Sequence, residues 1–319
     1  MNREKGEGGI ARTVPKPALF SFLGWSGSGT TGFRGGKAMA PLIEVQGVWF
    51  DFRPEARARA DWILRKVDWT VEPGEYVALM GRNGSGKSTL ARMLNGLLVP
   101  TEGRVRVKGI PTDDPKRLWT VRKTVGMVFQ NPENQHVAPT VREDVAFGLE
   151  NLGLPRKEML RRIDEALEAV GLSGMEERQI HQLSGGQKQL LAIAGVIAMR
   201  PEAIVLDEAT SMLDPAAGCR VLEVVRRLNE GGMAVIHITH SAEEAARAGR
   251  VAVLDRGRIV LDGPPEEVFL RDEELRHLGL EVPVLAELTG RLRRRGWPLS
   301  ETLDPERWVE EIWRLLSRG

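Results

Sequence analysis

The chain has 319 residues, with 45 basic and 44 acidic side chains, 42% hydrophobic residues and a single cysteine. This near balance of charge excludes an overall field for nucleic acid, and the lone Cys219 excludes an internal disulfide. The longest uninterrupted apolar run, Leu190 to Met199, holds about half of the roughly 20 residues that a membrane-spanning helix needs, so any role at a membrane requires a partner.

An absence of cysteine pairs suits a reducing cytosol, where Cys219 is expected to serve as a small buried apolar residue. Residues 1–40 are rich in Gly, Ser, Thr and Lys/Arg without a sustained apolar period, and are expected to form a disordered tail. Within them Gly24-Trp25-Ser26-Gly27-Ser28-Gly29-Thr30-Thr31 is superficially like a phosphate loop, but it lacks the lysine and no strand leads into it. Met39 stands just before the first strand-like segment and is a candidate translation start, which N-terminal peptide mass spectrometry of native protein would test.

From Leu42 onward short strands alternate with helices. Residues 43–50, 76–80, 125–129, 203–206 and 234–239 carry the strand pattern, and such alternation predicts an α/β core with a largely parallel, helix-covered sheet over residues 41–275. Between the third and fourth of these strands lies a helical stretch, with Thr140-x-x-Glu143 as one helix start and Pro155 as a break. It is expected to be a helical subdomain, about 135–198, inserted into the core. Beyond Asp262 the pattern changes: Pro283, Pro298 and Pro305 punctuate apolar-periodic segments that end in Trp308-x-x-x-Ile312-x-x-Leu315-Leu316, so residues 276–319 are expected to form a small C-terminal helical domain.

Three segments carry chemistry. Gly81-Arg82-Asn83-Gly84-Ser85-Gly86-Lys87-Ser88-Thr89 follows an apolar strand and opens a helix, the context that a phosphate-binding loop requires. Its glycines let backbone amides turn toward phosphate oxygens, Lys87 offers a cation to the β- and γ-phosphates, Ser88 offers a hydroxyl to Mg²⁺, and Thr89 adds a further hydroxyl. A plain glycine turn with an exposed lysine is the competing explanation, and it does not account for the flanks. Asp207 and Glu208 end an apolar strand at the carboxyl edge of the expected sheet, where ligands of open α/β folds bind. Neighbours on a strand point oppositely, so one acid can serve Mg²⁺ while the other faces an attacking water; alone, both would be read as a strand end. Leu183-Ser184-Gly185-Gly186-Gln187 opens an apolar helix. Ser184 and Gln187 have capping-box spacing, but capping does not explain Gly185 and Gly186, each costing up to about 1 kcal/mol relative to alanine; close approach of an anion to the helix start would explain them.

Together these segments resemble the ATP-binding cassette ATPases over Leu42 to about Phe269: Walker A at Gly81 to Thr89, signature at Leu183 to Gln187 and Walker B at Ile204 to Asp207. Gln130 matches the Q-loop residue, Ser211-Met212-Leu213-Asp214 the D-loop, and His240 the H-loop residue. The resemblance implies a P-loop NTPase core using ATP and Mg²⁺, in which Glu208 polarises the hydrolytic water, His240 contacts the γ-phosphate, and Gln130 binds Mg²⁺ with Ser88 and Asp207. It also implies that Ser184, Gly185, Gly186 and Gln187 act in trans on the nucleotide of a second cassette. Adenine would stack on Phe52, where the family often has tyrosine, with Trp49 or Phe50 as substitutes. His237 and His240 are three apart, so on a strand they are expected to face opposite sides, which argues against a zinc pair; His237 is expected to be a packing residue.

Within the family, Gln130 to Gln135, Val145 to Asn151 and the tail Ala286 to Leu299 resemble the ATPases of energy-coupling-factor importers, which take up vitamins and transition-metal ions. That resemblance implies three partners: a second cassette ATPase, a transmembrane coupling protein and a substrate-binding membrane protein. The chain would then sit at the cytoplasmic face of the cell membrane. The run Arg291 to Arg295 is expected to be a solvated helix face. Two alternatives belong to other classes. A soluble cassette acting on nucleic acid or ribosomes is disfavoured by the single cassette without a long coiled-coil insert; a non-hydrolysing regulatory subunit is disfavoured by intact Lys87, Asp207, Glu208 and His240.

Overall fold

Two kinds of apolar patterning sort the strands into two sheets. A computed structural model describes residues 40–300 and 302–317; the glycine-rich segment Gly24 to Thr31, Met39 and the tail expected to be disordered up to that point lie outside the described residues. In chain order the strands are β1 (Ile43–Phe50), β2 (Leu64–Val71), β3 (Tyr76–Met80), β4 (Glu102–Val107), β5 (Ile110–Pro111), β6 (Val125–Val128), β7 (Ala203–Asp207), β8 (Ala234–Ile238), β9 (Arg250–Asp255) and β10 (Arg258–Gly263). The helices are α1 (Lys87–Leu94), α2 (Leu118–Thr124), α3 (Val141–Asn151), α4 (Arg156–Val170), α5 (Gly185–Ala198), α6 (Pro215–Glu230), α7 (Ala242–Ala245), α8 (Pro265–Phe269), α9 (Asp272–His277), α10 (Val284–Arg294) and α11 (Pro305–Leu316).

β7 and β8 are buried at every position, as expected of strands covered on both faces. They lie inside a six-stranded sheet of order β10-β9-β3-β8-β7-β6, parallel throughout except for the antiparallel edge strand β10. β1 does not belong to it. Ile43, Val45, Val48 and Phe50 point into the core, and the alternation changes phase where a bulge interrupts the pairing between Val45 and Val48. β1 is the centre of a separate antiparallel sheet of order β2-β1-β4-β5. The sequence pattern of one sheet thus divides in two, because half-buried antiparallel strands alternate while the parallel strands are apolar throughout.

One apolar cluster fills the space between the sheets and around α1. A second joins α3, α4, α5 and α6 to the other face of β6, β7 and β8. The helical stretch starts as its residues dictate: Thr140 caps α3 by accepting from Glu143 N–H, and Pro155 precedes α4. A third cluster packs Leu275, Leu280 and Phe269 against Ala242, Ala245 and Val253, with Ala286 and Leu303 alongside, and so seats the C-terminal helices on α7 and β9. Trp308 Nε1 donates to Thr289 Oγ1 at 2.9 Å and ties α11 to α10.

Cys219 departs from expectation. The buried stripe of α6 runs through Ala217, Gly218, Val221, Leu222, Val225 and Leu228, and this leaves Cys219 on the exposed face. In the arginine run, Arg291 donates to Glu287 at 2.6 Å and Arg294 lies 3.6 Å from Asp272. Among the described residues no helix is long and apolar enough to cross a membrane.

Candidate functional site

The carboxyl ends of β3, β6, β7 and β8 bring the sequence-predicted groups to one edge of the six-stranded sheet. β3 runs straight into the loop Gly81 to Gly86, and α1 begins at Lys87. Gly86 has φ +108°, a conformation that L side chains rarely adopt, and a Cβ there would stand 2.8 Å from Leu64 Cδ2 of the other sheet. The loop is anchored from outside as well: Gly257 N–H donates to Ser85 C=O at 3.0 Å, and Arg65 N–H donates to Gly257 C=O at 2.8 Å. The hydroxyl of Ser85 is buried within the loop without a protein partner.

Lys87 is buried and folds back over the loop, donating to the carbonyls of Gly81 (2.7 Å) and Arg82 (3.2 Å). Desolvation holds its pKa below the ordinary lysine value, against the opposing pull of Glu208 and Asp207. An anion replacing those carbonyl contacts would favour the charged form, so the loop is suited to phosphate. Ser88 Oγ donates to Asp207 Oδ1 at 2.8 Å, which sets a hydroxyl beside a carboxylate under the loop. Burial raises the Asp207 pKa above the ordinary carboxylate value, with the Ser88 hydrogen bond opposing it.

Glu208 lies one residue beyond β7, at φ +52°, a left-handed conformation uncommon for a residue with a side chain. Its N–H donates to Ile238 C=O at 3.0 Å, so the backbone is held by β8 as it leaves the sheet. The side chain meets three polar groups: Gln130 Nε2 at 3.2 Å, Lys87 Nζ at 3.9 Å and His240 Nδ1 at 3.9 Å. His240 is 60% exposed, whereas His237, three residues earlier, is fully buried. β8 ends at Ile238, so His240 lies beyond the strand in the turn before α7, and its exposure comes from that turn and not from strand alternation. Two adjoining clefts of ≈ 620 and ≈ 430 Å³ share Asn83, Gln130 and Glu208. Gly84, Gly86, Lys87, Ser88 and Thr89 line one, and Gly81 and His240 line the other.

Phe52 is 61% exposed, edge-on to buried Phe50 at 5.0 Å between ring centroids, and is not a core residue; the cleft wall on this side includes Ile63 instead. Trp49 is stacked under the Arg59 guanidinium, 4.2 Å from its centroid. At the start of α5 the capping box of Ser184 and Gln187 is complete in both directions. The two glycines behind it differ. A Cβ on Gly186 would stand 2.6 Å from Ala217 Cβ, so this glycine answers to packing of α5 on α6, whereas Gly185 would meet nothing closer than Leu213 at 3.8 Å and presents open backbone. Ser184 to Gln187 do not line the Lys87 clefts.

Further participants come from the D-loop, from the segment after Gln130 and from the C-terminal side. Ser211 Oγ accepts from Gln130 Nε2 at 3.2 Å, and Gly279, Leu280 and Glu281 close one cleft from the C-terminal side. Gln135 clamps the backbone ahead of Gln130, accepting from Phe129 N–H and donating to Phe129 C=O, each at 2.9 Å. This clamp is one reason β6 stops at Val128.

A family model described as ABC transporter matches residues 64–211. The energy-coupling factor transporter ATP-binding protein EcfA1 of Bacillus subtilis is 51% identical over 279 residues, covering 87% of this chain and 98% of its own length. Its counterpart in Symbiobacterium thermophilum is 52% identical over 283 residues, covering 87% and 99%. Among solved structures, cbiO1 of Clostridium perfringens, part of the ABC transporter complex cbiONQ, superposes with a TM-score of 0.67 at 33% identity over 78% of this chain and 99% of that one. A dimeric post-hydrolysis state of the ATP-binding cassette MJ0796, bound to ADP and Pi, gives 0.63 at 29% identity over 70% and 98%. With its loop, paired carboxylates and glutamine and histidine at one sheet edge, and with relatives this similar along nearly their full length, the chain belongs to the ATP-binding cassette ATPases, in the group of energy-coupling factor transporter ATP-binding proteins.

Proposed function

We propose that this chain is the ATP-hydrolysing subunit that energises an energy-coupling-factor importer for vitamins or transition-metal ions, working at the cytoplasmic face of the cell membrane. The observation that carries the hydrolytic part is the convergence on Glu208 of Gln130, Lys87 and His240 within 3.9 Å, above the Ser88–Asp207 pair. Phosphoryl transfer asks for positioning and charge stabilisation more than covalent chemistry.

ATP phosphates would draw Lys87 away from the carbonyls of Gly81 and Arg82, while the amides of Gly84, Ser85 and Gly86 and the Ser85 and Thr89 hydroxyls cradle them. Ser88, Asp207 and Gln130 supply oxygens of the hard kind that Mg²⁺ takes, and Mg²⁺ when bound neutralises charge on the β- and γ-phosphates. Glu208 orients the attacking water and accepts its proton, Gln130 steers the Glu208 carboxylate, and His240 contacts the γ-phosphate.

The exposed start of α5, with Gly185 open, would cap the nucleotide of a second cassette, and the partner's equivalent would cap this one. Nucleotide binding closes the pair; hydrolysis and release open it. Val137 and Phe147 are large exposed apolar residues close in sequence to the Gln130 loop and to α3, and they are suited to dock a transmembrane coupling protein, beside which a substrate-binding membrane protein selects the cargo. On the C-terminal helices Val284, Leu288, Val309, Trp313 and Leu316 are exposed and support association with the second ATPase.

The test is purification of the tagged chain from detergent-solubilised native membranes, with mass spectrometry of its partners and ATPase assay beside Glu208→Gln. Recovery of a second cassette ATPase and a polytopic membrane protein, with turnover lost in the variant, is the expected result. Ribosomal or DNA-bound partners without a membrane protein would overturn the transport assignment.

A further inference from the structure

Behind the Glu208–His240 pair lies a carboxylate that the hydrolytic reading leaves unused. Glu244, in α7, accepts from Thr210 Oγ1 at 2.7 Å through Oε1 and from Thr239 Oγ1 at 2.6 Å through Oε2. Thr210 stands two residues beyond Glu208, and Thr239 stands immediately before His240. One carboxylate therefore bridges the two turns that carry the acid and the histidine, through distances in the charge-assisted range for a hydroxyl on an ionised acceptor.

Both turns are closed locally as well. Thr239 Oγ1 also accepts from Ser241 N–H at 3.0 Å, and Ser241 Oγ accepts from Glu244 N–H at 3.3 Å, which makes a ring around His240. On the other side Ser211 N–H and Oγ–H both donate to the Glu208 carbonyl, at 3.1 and 2.9 Å. Beneath lies His237, fully buried, its Nδ1 3.2 Å from Tyr76 Oη and its Nε2 3.4 Å from Glu244 Oε2. Burial disfavours the charged imidazole. His237 Nε2 makes no hydrogen bond, so the ring packs behind the Glu244 carboxylate from the sheet interior without tying it.

We propose that Glu244 is a positioning residue: by sharing its carboxylate between Thr210 and Thr239 it fixes the separation of Glu208 and His240 and makes any shift of the Ser211–Asp214 loop move the His240 turn as well. This inference rests on the hydrolytic reading of Glu208 and His240.

The experiment uses the full chain in its solubilised assembly, with Mg-ATP, and compares wild type, Glu208→Gln, the pair Thr210→Val with Thr239→Val, and the pair Thr210→Ser with Thr239→Ser. Valine keeps the shape and removes the hydroxyl; serine keeps the hydroxyl. The valine pair is expected to lower kcat by about tenfold or more with ATP affinity and KM held within about twofold, and the serine pair to restore at least about half of wild-type kcat. Glu244→Gln, which keeps a single strong acceptor, should fall between them. Wild-type kcat in the valine pair would overturn the proposal, as would parallel losses of kcat, nucleotide affinity and melting temperature in both pairs. A wild-type assembly without turnover sensitive to Glu208→Gln would instead overturn the functional reading, and this inference with it.

Discussion

Gln130 Nε2 donates to Glu208 Oε2 at 3.2 Å and so joins the turn after β6 to the carboxylate that follows β7. The same amide reaches Ser211 Oγ at 3.2 Å, so the glutamine holds the turn after β7 at two points. Replacing Gln130 by alanine removes one hydrogen bond to a charged group, about 1.5 kcal/mol at an exposed site, and is expected to lower kcat about tenfold. Affinity for ATP without Mg²⁺ should change by less than about twofold, since the phosphate loop is untouched, whereas affinity for Mg-ATP should fall with the loss of an oxygen placed on Mg²⁺. Steady-state ATPase assays beside nucleotide titrations check the split.

Asp207 gives a prediction with a definite sign. Its carboxyl is pushed above the ordinary value, chiefly by burial, so the native state holds that proton more tightly than the unfolded chain does. The ionised group therefore costs stability at neutral pH; the cost is absent below the ordinary carboxylate range and grows as pH rises through the raised native pKa. Asp207→Asn should raise the melting temperature of the nucleotide-free chain at pH 7 by about 1–3 °C, with the difference vanishing in acid, while turnover is abolished. Calorimetry across pH, with an ATPase assay, tests both halves.

The signature glycines should part company. Gly186→Ala puts a methyl 2.6 Å from Ala217 Cβ and should destabilise the chain by about 1–3 kcal/mol, seen as a lower midpoint in urea. Gly185→Ala meets nothing within 3.8 Å and should leave the isolated chain as stable as before or slightly more so, with turnover of the assembled ATPase pair reduced.

Trp313, 72% exposed on α11, should matter only between subunits. Trp313→Ala is expected to leave the melting temperature of the monomer within about 1 °C and to weaken ATPase pairing about 30-fold, the scale of an interface tryptophan. Sedimentation velocity over a dilution series measures it.

The phosphate-loop, carboxylate and histidine positions were legible because each is a local string: glycines followed by Lys87, a buried run ending at Asp207, a buried run ending before His240. What the sequence hid is what non-local pairing decides. β1 was read with the alternating core, but its partners are β2 and β4, the latter more than fifty residues on. Gly186 looked like ligand access and is in part a seat for Ala217, thirty-one residues away. Cys219 was expected inside, but one step around α6 from Gly218 is already outside. Phe52 shows another limit: its exposure depends on the turn that follows β1, which no local pattern specifies.

The anchoring of the phosphate loop has a consequence for how the chain acquires its site. Ser85 is held by Gly257, Gly257 is held by Arg65, and Gly86 rests on Leu64, so the loop is gripped by segments that leave the ribosome nearly two hundred residues apart. Contacts of such separation are slow to close, because the intervening chain must give up its freedom before they form. The inter-sheet core itself draws Ala252 and Leu254 from β9, so neither that core nor the grip on the loop is complete until the hairpin of β9 and β10 arrives. Competence to bind nucleotide is then a late event of synthesis, which keeps a half-made cassette from engaging ATP.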